Sequence, residues 1–186
     1  MEPGGRQPAP GALALIQGFV NTRDVEASTD ALDSPEGLRE WFVTRGLISS
    51  DGSTDDADLR RTCALRESLR TLLEANHGEA PPVDAVALFN QQAASIRLRL
   101  EADISGRPTL EPGEGGIEGA LGRLLTIVYT AVVDGTWRRL KVCPSDGCRW
   151  AFYDHSKNRS STWCTMAVCG NRSKVRAYQQ RRRAAR

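Results

Sequence analysis

"CPSDGCRWAFYDHSKNRSSTWCTMAVC", residues 143–169, holds four of the chain's five cysteines. Cys143 and Cys148 enclose four residues, Cys164 and Cys169 enclose four more, and 15 residues separate the pairs. A tetrahedral zinc site needs four soft, deprotonated ligands converging on one ion, and thiolates suit it best. Two short turns can each supply half of such a tetrahedron. Pro144, Ser145, Asp146 and Gly147 give the first pair the residues of a sharp reversal. The second pair sits where a helix should begin, so amide dipoles and nearby arginines would stabilise thiolate charge. The spacing predicts one structural zinc on Cys143, Cys148, Cys164 and Cys169. Four thiolates leave no coordination position for water or substrate, so a metal hydrolase is not expected. Packed free thiols and a thiol redox switch are the alternatives that these residues leave open. Cys63 stands apart near the edge of an apolar helical stripe and reads as an inert packed thiol. His77 and His155 are also isolated, although His155 lies between the pairs and could replace a ligand.

Charge is divided sharply around this cluster. Residues 137–186 hold 13 Lys/Arg and only two acids, Asp146 and Asp154, for a net +11, whereas residues 1–136 sum to −9. An acidic body with a basic tail points to a polyanionic partner, nucleic acid first. The alternative is a solvated tail, or one that docks on its own acidic body. A helix starting near Met166 would bring Arg172, Arg176 and Arg183 within about 40 degrees of one another, with Lys174 and Arg181 in a second row. Arg182 extends the cluster, and Lys157 and Arg159 could add phosphate contacts from the loop. On that helix Val168, Val175 and Tyr178 should share a face packed on the zinc module. Trp150, Phe152, Tyr153 and Trp163 read as its miniature core rather than as base-stacking surfaces.

Upstream the pattern is mostly helical. Residues 1–11 read as disordered, and "ALALIQGFVNTRD" could be a strand or a helical turn. Ser34 and Pro35 mark a helix start, with Leu38, Trp41 and Phe42 at helical spacing until Gly46. A second helix is expected over 55–75, with Asp55, Asp56 and Asp58 at its positive end. Pro81 and Pro82 precede a shorter third helix. Ile96, Leu98 and Leu100 alternate with Arg97, Arg99 and Glu101 ahead of a glycine turn. That is a β-hairpin, whose open edge should pair with another short strand. Ile117, Leu121, Leu124, Leu125, Val128, Ala131 and Val132 then make the best core helix, up to Gly135. The longest apolar run, Leu124–Val133, is too short to span a membrane, and the start lacks a basic leader; a cytoplasmic protein is expected. No phosphate loop, nucleophile elbow or paired-carboxylate signature is present, so an enzyme is not expected. The fold class is mainly α with a small β-hairpin or sheet (α+β).

Two stretches bear a family resemblance. "WCTMAVCGNRSKVRAYQQRRR", preceded by "CPSDGCRWAFYDHSKNRSS", resembles the CGNR zinc finger, named for Cys169-Gly170-Asn171-Arg172. "GFVNTRD" followed by "LDSPEGLREWFVTRGL" is similar to the ABATE domain that precedes this finger in bacterial proteins. Gln17-Gly18 stands where that family often has Leu-Asp, and Thr165 where Ser is usual. The resemblance implies a stress-responsive transcription regulator, with zinc on the four cysteines and DNA on the basic segment. The expected organisation is a helical domain over 12–137, able to fold without zinc, and a finger over 138–186. The partner would be double-stranded DNA. The body would act as a sensor for a small-molecule effector or as a homodimerisation unit. An anti-sigma-like protein-interaction regulator and an RNA-binding protein are the rival readings.

Overall fold

In a computed structural model that describes residues 6–113 and 115–184, the chain is mainly helical with three small antiparallel sheets. Chain order is α1 (Leu13–Val20), β1 (Arg23–Asp24), β2 (Thr29–Asp30), α2 (Pro35–Val43), α3 (Asp56–Glu74), α4 (Val83–Ala94), β3 (Leu98–Ala102), β4 (Pro108–Pro112), α5 (Gly116–Val133), β5 (Leu140–Val142), β6 (Ala151–Tyr153) and α6 (Asn171–Ala184). The expected helix starts are there for the expected reasons. Ser34 Oγ accepts from Gly37 N at 3.1 Å with Pro35 at the first position. Asp55 caps α3, and Asp58 returns the bond to the Asp55 amide. The ambiguous stretch after residue 12 is helical, because Leu13, Ile16, Phe19 and Val20 all turn inward. Of the segment expected to be disordered, residues 1–5 lie outside the described residues. Residues 6–11 are not loose: Ala9 is buried and its amide donates to Gln17 Oε1 at 2.6 Å. The side chain standing where the family often has leucine thus pins the segment before α1.

α1, α3 and α5 form the centre of the core, with Phe19, Leu65, Leu69, Leu73, Leu121 and Leu124 withdrawn from solvent. α5 is long and apolar enough to cross a membrane by composition, yet half of it is buried inside the protein. The β3–β4 hairpin packs on α5, with Leu98 and Pro112 against Gly122, where an added methyl would lie 3.2 Å from Pro112 Cβ. β3 pairs with β4 and with no other strand among the described residues, so the expected extra partner strand is absent.

The boundary expected at 137/138 does not separate two cores. Leu140 and Val142 on β5 and Ala151 on β6 are fully buried in the same cluster as α1 and α3. Each of the two larger side chains contributes roughly 2 kcal/mol by burial. Body side chains also satisfy the hairpin's backbone. Asn21 donates Nδ2 to Ala151 O at 2.9 Å and accepts from Ala151 N at 2.7 Å, in the manner of a third strand. Arg70, one of the most buried side chains in the chain, donates to Arg149 O at 2.7 Å and Val20 O at 2.6 Å. Asn76 donates to Trp137 O and Leu140 O, and His77 Nε2 to Val142 O at 2.7 Å. On α3, Arg66 holds Asp30 through both carboxylate oxygens, at 2.6 and 2.8 Å, and Thr22 Oγ1 at 3.0 Å.

Removing the hairpin would expose apolar faces of α1 and α3 and strand these polar groups. A chain shortened after Gly135 should therefore fail to unfold cooperatively in urea. In the full chain Arg70→Met should cost about 3 kcal/mol, because the carbonyls of Val20 and Arg149 lose their donor. A shortened chain with a sharp urea transition would show that the body closes its own core.

Candidate metal centre and basic helix

β5 and β6 pair with Leu140 opposite Tyr153, Lys141 opposite Phe152 and Val142 opposite Ala151. The connecting turn carries Cys143 and Cys148. Cys143 N donates to Trp150 O at 2.9 Å, while Cys148 N and Arg149 N both donate to Ser145 O, which folds the turn tightly. Arg149 takes a left-handed φ of 50° at its exit. Of the second pair, Cys169 lies in a π-helical turn, Met166–Gly170, and Cys164 comes two residues before that turn. Thr165 Oγ1 caps it by accepting from Val168 N at 3.2 Å, so threonine does the work of the usual serine. Asn171 donates Nδ2 to Ala167 O at 3.1 Å where the π turn becomes α6. A methyl on Gly170 would lie 2.6 Å from Met166 Sδ, so this glycine leaves room for the methionine side chain.

The four sulfurs of Cys143, Cys148, Cys164 and Cys169 lie within 4.8 Å of one another. Cys148–Cys164 and Cys164–Cys169 are each 3.6 Å apart. A tetrahedron with Zn–S bonds of about 2.3 Å has edges of about 3.8 Å, so the donor set fits one zinc ion. The charges agree. Sulfurs so close cannot all ionise unless a cation joins them. Hydrogen bonds from Cys143 and Cys148 hold Cys164 at about 2, while burial and the neighbouring sulfurs push Cys169 up to about 12. One divalent zinc on these four residues fixes the geometry of both turns, and its role is structural.

Trp150 and Phe152 are buried beside the cysteines, with Trp163 and Val168 partly so, which is the miniature core expected. Tyr153 instead packs on the body. His155 is not a ligand; its Nε2 donates to Pro8 O at 3.1 Å and its ring meets Tyr153. Cys63 is remote from the cluster, with its thiol raised by burial.

Two parts of the centre have little trace in the sequence. Arg6 donates to Cys164 Sγ at 3.4 Å and lies 5.3 Å from the Trp150 ring, bringing a cation to the most exposed of the four cysteines. A lone arginine in a Pro/Gly-rich start gives no signal for this. The other part is a buried ion pair, Lys141 Nζ to Asp154 Oδ2 at 2.8 Å. Lys141 also donates to Arg159 O and Ser161 O, and Asp154 accepts from Ser156 N, Ser156 Oγ and Ser161 N. Burial opposes ionisation of Asp154, but Lys141 and these donors outweigh it and hold the carboxyl far below the usual range. The pair shapes the loop that presents Lys157 and Arg159 to solvent. Its signal was faint: one of three lysines, and one of two acids in the tail.

α6 departs from the expected packing. Val168 lies against the cluster, but Val175 and Tyr178 are 54% and 55% exposed, and no described residue of α6 is buried. After one turn the helix has left the module, so these side chains have nothing to cover them. Arg172, Lys174, Arg176, Arg181, Arg182 and Arg183 are all exposed. Arg172 pairs with Glu26, in the β1–β2 loop, at 2.7 Å, and Arg182 lies 5.9 Å from the Tyr178 ring.

Protein purified without added metal should carry close to one zinc per chain. Cys164→Ser should lose it and unfold the tail, since structural zinc contributes roughly 10 kcal/mol or more in small modules. Cys63→Ser should leave zinc content unchanged. Full zinc retention in Cys164→Ser would contradict the site.

Comparison with known families agrees with this anatomy. Residues 139–182 match the CGNR zinc finger, and residues 11–134 match ABATE, described as "Putative stress-induced transcription regulator". A search of curated proteins returned no match. Phe19, Val20, Asn21 and Thr22, at the heart of the ABATE resemblance, are the residues that build the core and clasp the finger. The chain belongs to the ABATE family, here joined to a CGNR zinc finger whose four cysteines form the metal centre.

Proposed function

We propose that the protein is a bacterial, cytoplasmic transcription regulator that grips double-stranded DNA with α6, and that it catalyses no reaction. One observation carries this reading. α6 begins two residues after the buried ligand Cys169, runs to Ala184 without a buried side chain and contains no acid. Its 14 residues span about 21 Å, enough to follow a major groove. Arg172, Arg176 and Arg183 share one face, Lys174 and Arg181 the opposite one, and Lys157 and Arg159 add loop cations. The zinc knot fixes the root of the helix, while the hairpin ties that root to the body. The body then serves as sensor or dimerisation unit. An open cleft of about 690 Å³, bordered by Ser49, Arg99, Glu111 and Arg123, is where a small polar effector would fit. The exposed Val175 and Tyr178 favour a second reading, in which α6 docks on a protein as anti-sigma regulators do.

Fluorescence anisotropy on duplex genomic fragments at physiological salt separates the two. Arg176→Ala should weaken DNA binding with zinc intact. If Arg176 grips a phosphate, its removal flattens the salt slope by about one. If it reads a guanine, its removal costs ~1–3 kcal/mol at one position of the site. Arg172→Ala should cost less than Arg176→Ala, because Glu26 already engages Arg172. Absence of affinity for every fragment, with zinc bound, would favour the protein partner.

A further inference from the structure

The β3–β4 hairpin has one closed edge and one open edge. Gly113 N donates to Arg97 O at 2.8 Å and Asp103 N to Arg107 O at 2.9 Å, within a register that sets Leu100 opposite Leu110. Odd-numbered residues of β3 therefore face β4, and Leu98, Leu100 and Ala102 turn their N–H and C=O groups outward. On the far side of β4 the same groups are blocked. Pro108 and Pro112 have no N–H, and Leu110 O accepts from Thr126 Oγ1 on α5. β3 has no such protection: it lacks proline, no strand covers it among the described residues, and Leu100 is 71% exposed.

We infer that a second copy of this chain pairs antiparallel along the β3 edge, about a two-fold axis at Leu100, to make a four-stranded sheet. This rests on the reading of the body as a dimerisation unit and names its interface. Charge complementarity selects the partner and the register. With Leu100 opposite Leu100 of the second copy, Leu98 meets Ala102, Arg99 meets Glu101 and, just beyond the strand, Arg97 meets Asp103. Every charge faces its opposite, and the outward backbone groups of β3 are all paired. Moving the register by two residues one way sets Arg99 against Arg99, and the other way Glu101 against Glu101. Like charges directly opposite are destabilising, so neither shifted register competes. Arg99 and Glu101 are both exposed and currently bond each other at 3.0 Å, so neither must be dug out to bridge to a second copy. The two Leu100 side chains, on the apolar face shared with Leu98, cover each other across the axis.

Sedimentation velocity on the zinc-loaded full chain tests this. The natural protein should form a concentration-dependent dimer. R99E alone and E101R alone should each weaken it by about tenfold or more, since both symmetric pairs become repulsive. Mixing R99E with E101R should restore a dimer, because opposite charges again face each other, a result that loss of fold cannot give. L100P, which removes an outward N–H and no bond to β4, should give a monomer with unchanged far-UV circular dichroism. A natural protein that stays monomeric overturns both this interface and the dimerisation reading. In that case fast hydrogen exchange at Leu98, Leu100 and Ala102 would leave the edge to a strand of some other protein. A dimer indifferent to R99E, E101R and L100P overturns the β3 edge but keeps dimerisation. Failure of the mixed charge variants to associate overturns the register.

Discussion

Asn21 holds both backbone groups of Ala151, and much of the architecture depends on that clasp. A two-stranded hairpin carries unpaired N–H and C=O groups on its outer edges, and buried ones must find partners. β6 enters the body with Ala151 fully buried, so the cost of leaving its peptide unpaired would fall on folding itself. One amide side chain answers both groups, while Arg70, Asn76 and His77 answer neighbouring carbonyls. The finger is therefore not an appendage on a linker. Its hairpin completes the sheet-poor helical body, and its zinc knot grows from the turn that follows the clasped Val142–Ala151 pair.

This arrangement separates two kinds of electrostatics. Inside, charges are paired and immobile: Arg66 with Asp30, Lys141 with Asp154, and Arg70 among carbonyls. Outside, the cations of α6 have almost no acids near them. The Arg172–Glu26 pair is half exposed, and such pairs contribute at most about 1 kcal/mol. It can tether the first turn of α6 to the acidic body without preventing a polyphosphate from displacing the carboxylate. The direction of the helix is set instead by the π turn, where Cys169 points into the metal cluster and Asn171 locks the exit.

Elements with a local cause were legible in the sequence. Helix caps at Ser34 and Asp55, the apolar stripe of α5 and the alternation of β3 all depend on neighbours in the chain, and all stand where expected, except that Val132 at the end of the α5 stripe is exposed. The four-cysteine cluster was legible for a different reason: thiolates at that spacing have few other uses. What the sequence hid was long-range. β5 is three residues long, and Lys141 within it looks like a surface cation until the register shows that it points at Asp154. Arg66 and Arg70 interrupt what should be an apolar stripe on α3, and only Asp30 of the β1–β2 hairpin and the carbonyls of Val20 and Arg149 explain them. The division at 137/138 falls between the two family matches, 11–134 and 139–182, yet β5 and β6 side chains pack into the body across it, because a change of charge and motif carries no information about packing. The free face of Val175 and Tyr178 was not legible because helical periodicity shows which residues align but not whether anything covers them.

Body and finger share one buried cluster through the β5–β6 hairpin, and this packing predicts one cooperative unit. Differential scanning calorimetry of the zinc-loaded chain measures this directly. A single transition, with calorimetric and van't Hoff enthalpies in agreement, is the expected result. Two resolved transitions, one of them moved by a zinc chelator while the other keeps its midpoint, would show a self-sufficient body with an independent finger and contradict it.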